Sequence, residues 1–401
     1  MAWTTFRLTV TTPLFNGDDA TTGLHASSIR GAMHHWFRAL AATRAGNDVT
    51  ALARAEQAVF GSTRRASPVR MRLAGQPIGN MLVKPGPSAL ISGDQGKWVG
   101  YLLGQGLTRY DSSTGRMLLS RPYTRPGHSF DLRLGFSGQE DVDALFLASL
   151  WLACTYGGFG ARTRKGFGGV RLVHEDGDLP GPWREHSPNT PTLDHYRELD
   201  HLSLAGPVKD CADLLWKVMP APADDAHDRA PVYPALGPGY TTAALGWPHG
   251  ATWQEVASES GELYRRFRAS RAHPHTTKNY EPKIKTPEHH TVVHGRSTHF
   301  PLGALGLPVN YQSDAVVNVF QGEEHARRAS PLWLRFVGGE GEETRLFSFA
   351  FLNPFLPKGS GARIRAEGRA VKPDGSRPVT VDDTDVQNKA GAWLKLTRLP
   401  T

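Results

Sequence analysis

Cysteine is nearly missing: Cys154 and Cys211 are the only two in 401 residues. Two distant thiols make neither a disulfide framework nor a zinc site, so both read as small buried hydrophobes. Long apolar runs are missing too. No stretch approaches the ~18 residues of a membrane span. The opening MAWTTFRLTV has neither the charged flank nor the apolar core of a signal peptide. These absences argue against a disulfide-stapled secreted domain and against a membrane protein, and they predict a cytoplasmic chain. Histidine is plentiful but poorly arranged for metal. Six fall between Arg271 and Phe300 among Lys, Pro and Thr, with no HExxH and no Cys/His pairing. Neither a metal nor a cofactor is expected, and the prolines read as an extended, exposed basic loop.

Glycine and positive charge are abundant instead. There are 43 glycines and 29 prolines, and the formal net charge is +8. At this length two domains are expected, and the charge favours an acidic partner, either nucleic acid or an anionic surface. Both excesses meet in Gly157 to Val170, GGFGARTRKGFGGV, where Arg162, Arg164 and Lys165 stand among six glycines. Glycine at that density lets backbone approach another chain closely. Exposed N–H groups and cations suit phosphates, and Phe159 and Phe167 suit stacked bases. A P-loop is excluded: no Gly-Lys-Ser/Thr follows, and the helix precedes the loop.

Periodicity places the loop. Phe6, Leu8 and Val10 alternate as an opening strand. Ser27 and Ser28 are candidate caps for a helix with Ile29, Met33, Trp36, Phe37 and Leu40 on one face. On that helix Arg30 opposes the macrodipole, which a binding duty would explain. His34 and His35 read as members of an ordinary amphipathic helix. A second helix spans Ala51–Phe60 and a strand Val69–Leu73, while residues 74–128 offer only short apolar patches without obvious partners. Phe130, Leu132 and Leu134 alternate again, and helical spacing from Gln139 to Tyr156 leads into the glycine loop and a strand at Val170–Val173. Such an order is compatible with a ferredoxin-like β-α-β-β-α-β unit. Further on, Thr252–Ala269 reads as a helix, Leu332–Val337 and Arg345–Leu352 as strands, and 357–391 as mostly loop.

A repeat then appears. Arg64-Arg65-Ala66-Ser67-Pro68 recurs letter for letter as Arg327-Arg328-Ala329-Ser330-Pro331, before VRMRL in one case and LWLRF in the other. Helices upstream share Trp36-Phe37-Arg38-Ala39 and Arg266-Phe267-Arg268-Ala269. The shared context favours two diverged copies of one module.

Together TTPLFNG (11–17), SSIRGAMHHWFRAL (27–40), EQAVFGSTRRASPV (56–69) and GGFGARTRKGFGGV (157–170) resemble the RAMP proteins of type III CRISPR–Cas systems. They resemble in particular the family of first subunits of the type III-B Cmr complex. GLPVNYQ (306–312) and RRASPLWLRF (327–336) look like the second module of that family. The resemblance implies an α+β chain of two ferredoxin-like, RNA-recognition-type RAMP modules in tandem: residues 1–178 with the glycine loop, a linker 179–194, and a diverged module 195–401. It further implies a non-catalytic, RNA-binding architectural subunit of a crRNA-guided antiviral effector complex. Such a subunit sits at the head near the crRNA 3′ end, with crRNA, target RNA and sister RAMP subunits as partners. Expected RNA-binding residues are Arg30, Arg38, Arg64, Arg65, Gly160, Arg162, Arg164, Lys165, Phe167 and Gly168, with Phe167 stacking on a base. No catalytic residue is expected. The alternative is a metal-independent crRNA-processing endoribonuclease, for which His25, His34 and His35 are the candidate bases. The N-terminal module, which has the stronger signature, is expected to keep guide contact without the second.

Overall fold

A computed structural model describes residues 2–16, 23–202, 207–219, 231–269, 287–311, 314–338, 341–357 and 359–398. The opening alternation becomes strand β1 (Thr4–Val10), with Phe6, Leu8 and Val10 buried and Arg7 exposed. Two helices follow, α1 (Ala26–Ala45) and α2 (Val49–Phe60), then strand β2 (Arg70–Ala74). After helix α3 (Gly93–Leu103) come strand β3 (Ser129–Gly135), helix α4 (Glu140–Thr155) and strand β4 (Val170–Asp176). The sheet order is β2-β3-β1-β4, antiparallel throughout: Phe6 faces Leu132 on one side and His174 on the other. This is the ferredoxin-like arrangement. Ser27 and Ser28 do not cap α1. His25 occupies the cap position without a side-chain hydrogen bond, and the helix starts two residues earlier than a cap at Ser27 would place it.

The same order returns in the second half. Strand β5 (Thr241–Gly250), helix α5 (Trp253–Ala269), strands β6 (Leu332–Val337) and β7 (Thr344–Phe351), and helix α6 (Asp383–Thr397) build a sheet ordered β6-β7-β5. Where the first unit has its fourth strand, this one has a single antiparallel bridge, Gly246 to Arg398. Each RRASP copy leads into the second strand of its unit, and each shared helical stretch lies on the first helix.

The two copies differ in what covers their sheets. VRMRL alternates, and β2 leaves Arg70, Arg72 and Ala74 exposed. LWLRF does not alternate, and every residue of β6 is buried. Leu332, Leu334 and Phe336 pack with α5 and α6. On the opposite face Trp333, Val337, Phe347, Phe349 and Phe351 join the core of α1 and α4. Trp36 lies 5.7 Å from Trp333 between ring centroids, and Tyr156 lies 6.3 Å from Phe347. The layers therefore run sheet, helices, sheet, helices. α4 sits in the middle, buried from Val142 to Thr155. Strands covered on both faces carry near-continuous apolar runs, and in β6 only Arg335 interrupts one.

Three other expectations change. Residues 357–391 are not mostly loop: strands Ala362–Glu367 and Ser376–Pro378 and the start of α6 lie there. Their charges are on wet positions, since Ile364 and Ala366 point inward between Arg363 and Arg365. α6 starts on a capping box made by Asp382 and Asp385. Of the histidine-rich segment, 271–286 lie outside the described residues. Pro287–His294 is a helix rather than extended chain, and His289 is buried. Finally, the stretch read as a linker runs along α4, where buried Trp183 donates through Nε1 to Ala144 O at 3.1 Å.

Candidate nucleic-acid interface

The glycine loop is not a free strap. Phe159 N donates to Gly168 O at 2.9 Å, Gly168 N to Pro13 O at 2.9 Å and Ala161 N to Phe15 O at 2.7 Å, so the loop is closed on itself and tied to the chain after β1. Gly160 and Gly168 have φ of 83° and 70°. A Cβ at Gly160 would stand 2.2 Å from Phe15 O, and one at Gly168 would stand 1.9 Å from Phe159 O. These glycines let the loop approach its own chain. Phe167 is fully buried, edge-on to Phe15 at 6.0 Å, and Phe159 is 1% exposed. Neither ring offers a face to a base, which corrects the stacking role expected of Phe167. Its apolar ring fills the core at the loop's root.

β6 forms the floor under the loop. Leu334 N donates to Arg164 O at 3.2 Å, and Lys165 bridges to Leu334 in the parallel sense. Side chains follow suit. Arg164 lies over the Trp333 ring at 4.7 Å, and Lys165 Nζ lies 3.9 Å from the centroid of Tyr264 on α5. Arg162 turns the loop with a left-handed φ of 64° and accepts from Lys165 N at 2.8 Å. Non-glycine residues rarely adopt that conformation outside constrained sites.

The result is a group of cations at the junction of the two units: Arg162, Arg164 and Lys165 from the loop, Arg268 from α5, and Arg327 and Arg328 from the second RRASP copy. Lys165 Nζ, Arg164 Nε and Arg268 Nε are buried without a hydrogen-bond partner among the described residues. Burial, then Arg268, Arg162 and Arg164, pulls the Lys165 amine well below its ordinary range. Burial, then Arg328, takes Arg164 down to about 10. Among the described residues no carboxylate forms an ion pair with Arg162, Arg164, Lys165 or Arg268. Tyrosines face them instead, with Arg268 Nη1 3.4 Å from Tyr101 Oη. Like charges gathered with unused donors form a ready receptor for an anion.

The other expected residues scatter. Arg38 is engaged by Glu56, with Nε to Oε2 at 2.8 Å and Nη2 to Oε1 at 2.6 Å, and His34 meets the same carboxylate. Arg64 and Arg65 are exposed on a tight turn closed by Ser62 N to Arg65 O at 2.7 Å. Arg30 opens onto a separate cavity of about 650 Å³ with Trp3, Ser27, Arg70 and Arg72. The sequence reading missed Arg268, Tyr264, Arg327 and Arg328 as partners of the loop. The signal was present in the second copies of both repeated motifs, but nothing local said that these would face the first unit's loop. Among the described residues one trio could in principle approach a metal, His299 with Asp382 and Asp385. Its carboxylates already cap α6, and Asp385 Oδ2 lies 2.8 Å from His299 Nε2.

A tandem ferredoxin-like architecture with a glycine-rich loop before the fourth strand of its first unit is the architecture of RAMP proteins, and residues 7–171 match the RAMP superfamily model. The chain belongs to that superfamily and, within it, to the Cmr1 family of CRISPR Cmr subunits. Cmr subunit Cmr1-2 of Pyrococcus furiosus is 34% identical over 177 residues, which is 42% of this chain and 93% of the relative. Cmr1-1 of the same organism is 31% identical over 157 residues, 39% of this chain and 42% of the relative. The crystal structure of Pyrococcus furiosus Cmr1 in its apo form has 21% identity and a TM-score of 0.50 and covers 88% of both chains, a likeness of fold.

Proposed function

We propose that this chain is the non-catalytic, RNA-binding architectural subunit of a type III-B, crRNA-guided effector complex, acting in the cytoplasm. Its Pyrococcus furiosus relatives are named as subunits of the CRISPR Cmr system, which supports the assignment to such a complex. The observation that carries the RNA role is the set Arg162, Arg164, Lys165 and Arg268 between the two units, which forms no ion pair with a carboxylate among the described residues. In a folded protein that surplus is costly unless an anion neutralises it, and a phosphate backbone supplies anions at regular spacing. The crRNA backbone near its 3′ end would lie across Arg162, Arg164 and Arg268, with target RNA and sister RAMP subunits as further partners. No helix of the described residues is long and apolar enough to cross a membrane.

The test is a salt titration with single-stranded RNA. Each phosphate contact contributes about −0.7 to the slope of log affinity against log salt. Replacing Arg162, Arg164 and Lys165 together with Ala removes two of these contacts and should flatten the slope by about 1.4 units. The same RNA, recovered after incubation in EDTA, should be intact. An unchanged slope removes the loop from the RNA surface, and specific cleavage products establish the endoribonuclease alternative.

A further inference from the structure

Arg335 is a buried cation that no contact with RNA would employ. It sits on β6 in the second unit and is 4% exposed. Its guanidinium reaches across the unit boundary to the C-terminus of α4, where Nη2 donates to Cys154 O at 2.9 Å and Nη1 donates to Gly157 O. Those carbonyls stand at the end of the helix, where unpaired C=O groups and the negative end of the macrodipole favour a cation. Gly157 is also the first residue of the glycine loop. The guanidinium lies between the two stems of that loop, beside Gly158 on one side and Gly169 on the other. Its strand neighbours continue the contact, Trp333 under Arg164 and Leu334 against Lys165.

We infer that Arg335 is the positioning residue of the RNA site, a pin from the second unit that sets the stems of the first unit's loop so that Arg162, Arg164 and Lys165 converge. The inference rests on the RNA reading above. Two features single out Arg335 from an ordinary interface residue. It bridges two carbonyls that belong to different structures, helix end and loop stem, which a planar guanidinium can do and an ammonium cannot do with the same geometry. It is also the one charge in an otherwise apolar strand. Leu, Val or Phe there would bury the interface equally well but would leave the Cys154 and Gly157 carbonyls without it.

The test uses the full chain in four forms: wild type, Arg335→Met, Arg335→Lys and the Arg162/Arg164/Lys165→Ala triple. A single-stranded oligoribonucleotide is the probe, titrated across a salt series, with thermal melting and amide exchange at Phe159 and Gly168 followed in parallel. Arg335→Met should melt cooperatively, bind RNA at least tenfold more weakly and show a salt slope flatter by one to two units, while Arg335→Lys recovers part of both. Faster exchange at Phe159 and Gly168 should accompany the loss. Wild-type affinity and slope in a folded Arg335→Met protein overturn the inference. So does weakening that only tracks the unfolded fraction, with the slope unchanged. Should Arg335→Met fail to fold, Arg335→Lys decides: a fast-exchanging loop with a wild-type slope also overturns it. If the alanine triple binds like wild type, the RNA reading itself fails, whatever Arg335 does.

Discussion

At the scale of single residues, the cations and histidines of this chain take their character from burial. His35 shows it most directly. It stacks on Trp333 at 5.8 Å, and burial, followed by Arg164 and Arg38, takes its imidazole from 6.5 down to about 4. A folded-state pKa below the unfolded one means that the unfolded chain binds the extra proton between those values. Its contribution to stability is complete above pH 6.5 and is lost as pH falls towards 4. The full loss is up to about 3 kcal/mol. Replacing His35 with Phe keeps a ring against Trp333 and removes that titration. Melting curves at pH 7 and pH 4.5 should then lie closer together for His35→Phe than for the wild type. Equal separation would place the proton uptake elsewhere. His34, on the same helix turn, meets Glu56 and lies against the Phe60 ring at 4.3 Å.

At the scale of elements, the glycine loop behaves as a folded piece rather than a flexible connection. Its composition suggested backbone freedom for a ligand, but its hydrogen bonds and its buried Phe159 and Phe167 give the glycines to the loop itself. Gly168→Ala tests this. An added methyl meets Phe159 O and sits on a backbone with positive φ. The conformational part alone costs about 1–2 kcal/mol, before the clash. Denaturant unfolding should show a loss of at least about 2 kcal/mol. A fall in RNA affinity should accompany it. A neutral substitution would mean that the loop is loose after all. The strand that follows each RRASP copy carries an equally readable message. Alternation in VRMRL leaves one face of β2 to water, and the non-alternating LWLRF commits both faces of β6 to the interior.

At the scale of the molecule, the two units form one body around α1 and α4. The open sheet face of the second unit, which in an isolated RNA-recognition-type fold would be free, is covered by the first unit's helices. Guide contact by residues 1–194 alone, expected when the units are read as independent, conflicts with this packing. Without β6 and β7, Trp36 and Tyr156 lose their partners Trp333, Phe347 and Phe349, and the glycine loop loses its floor. A fragment of residues 1–194 should therefore aggregate or bind a hydrophobic dye, and it should lack the salt-dependent RNA binding of the full chain. A monomeric, cooperatively melting fragment that binds RNA like the full protein would show that the units are independent.

The sequence by itself determined the two ferredoxin-like units. Period-2 and period-3.6 patterns are local, and the repeated RRASP and helix motifs mark equivalent places in both copies. It also determined the membership in the RAMP superfamily and the location of the loop that holds Arg162, Arg164 and Lys165. Only the tertiary structure decided which side chains meet. That Arg38 is held by Glu56 and Phe167 is sealed in the core depends on neighbours far along the chain, and so does the joining of Arg268 and Arg328 to the loop. No spacing rule reaches from Gly157 to Arg335. That contact exists because two sheets and two helix layers stack, and burial within the stack sets the charge and the freedom of the residues on its seam.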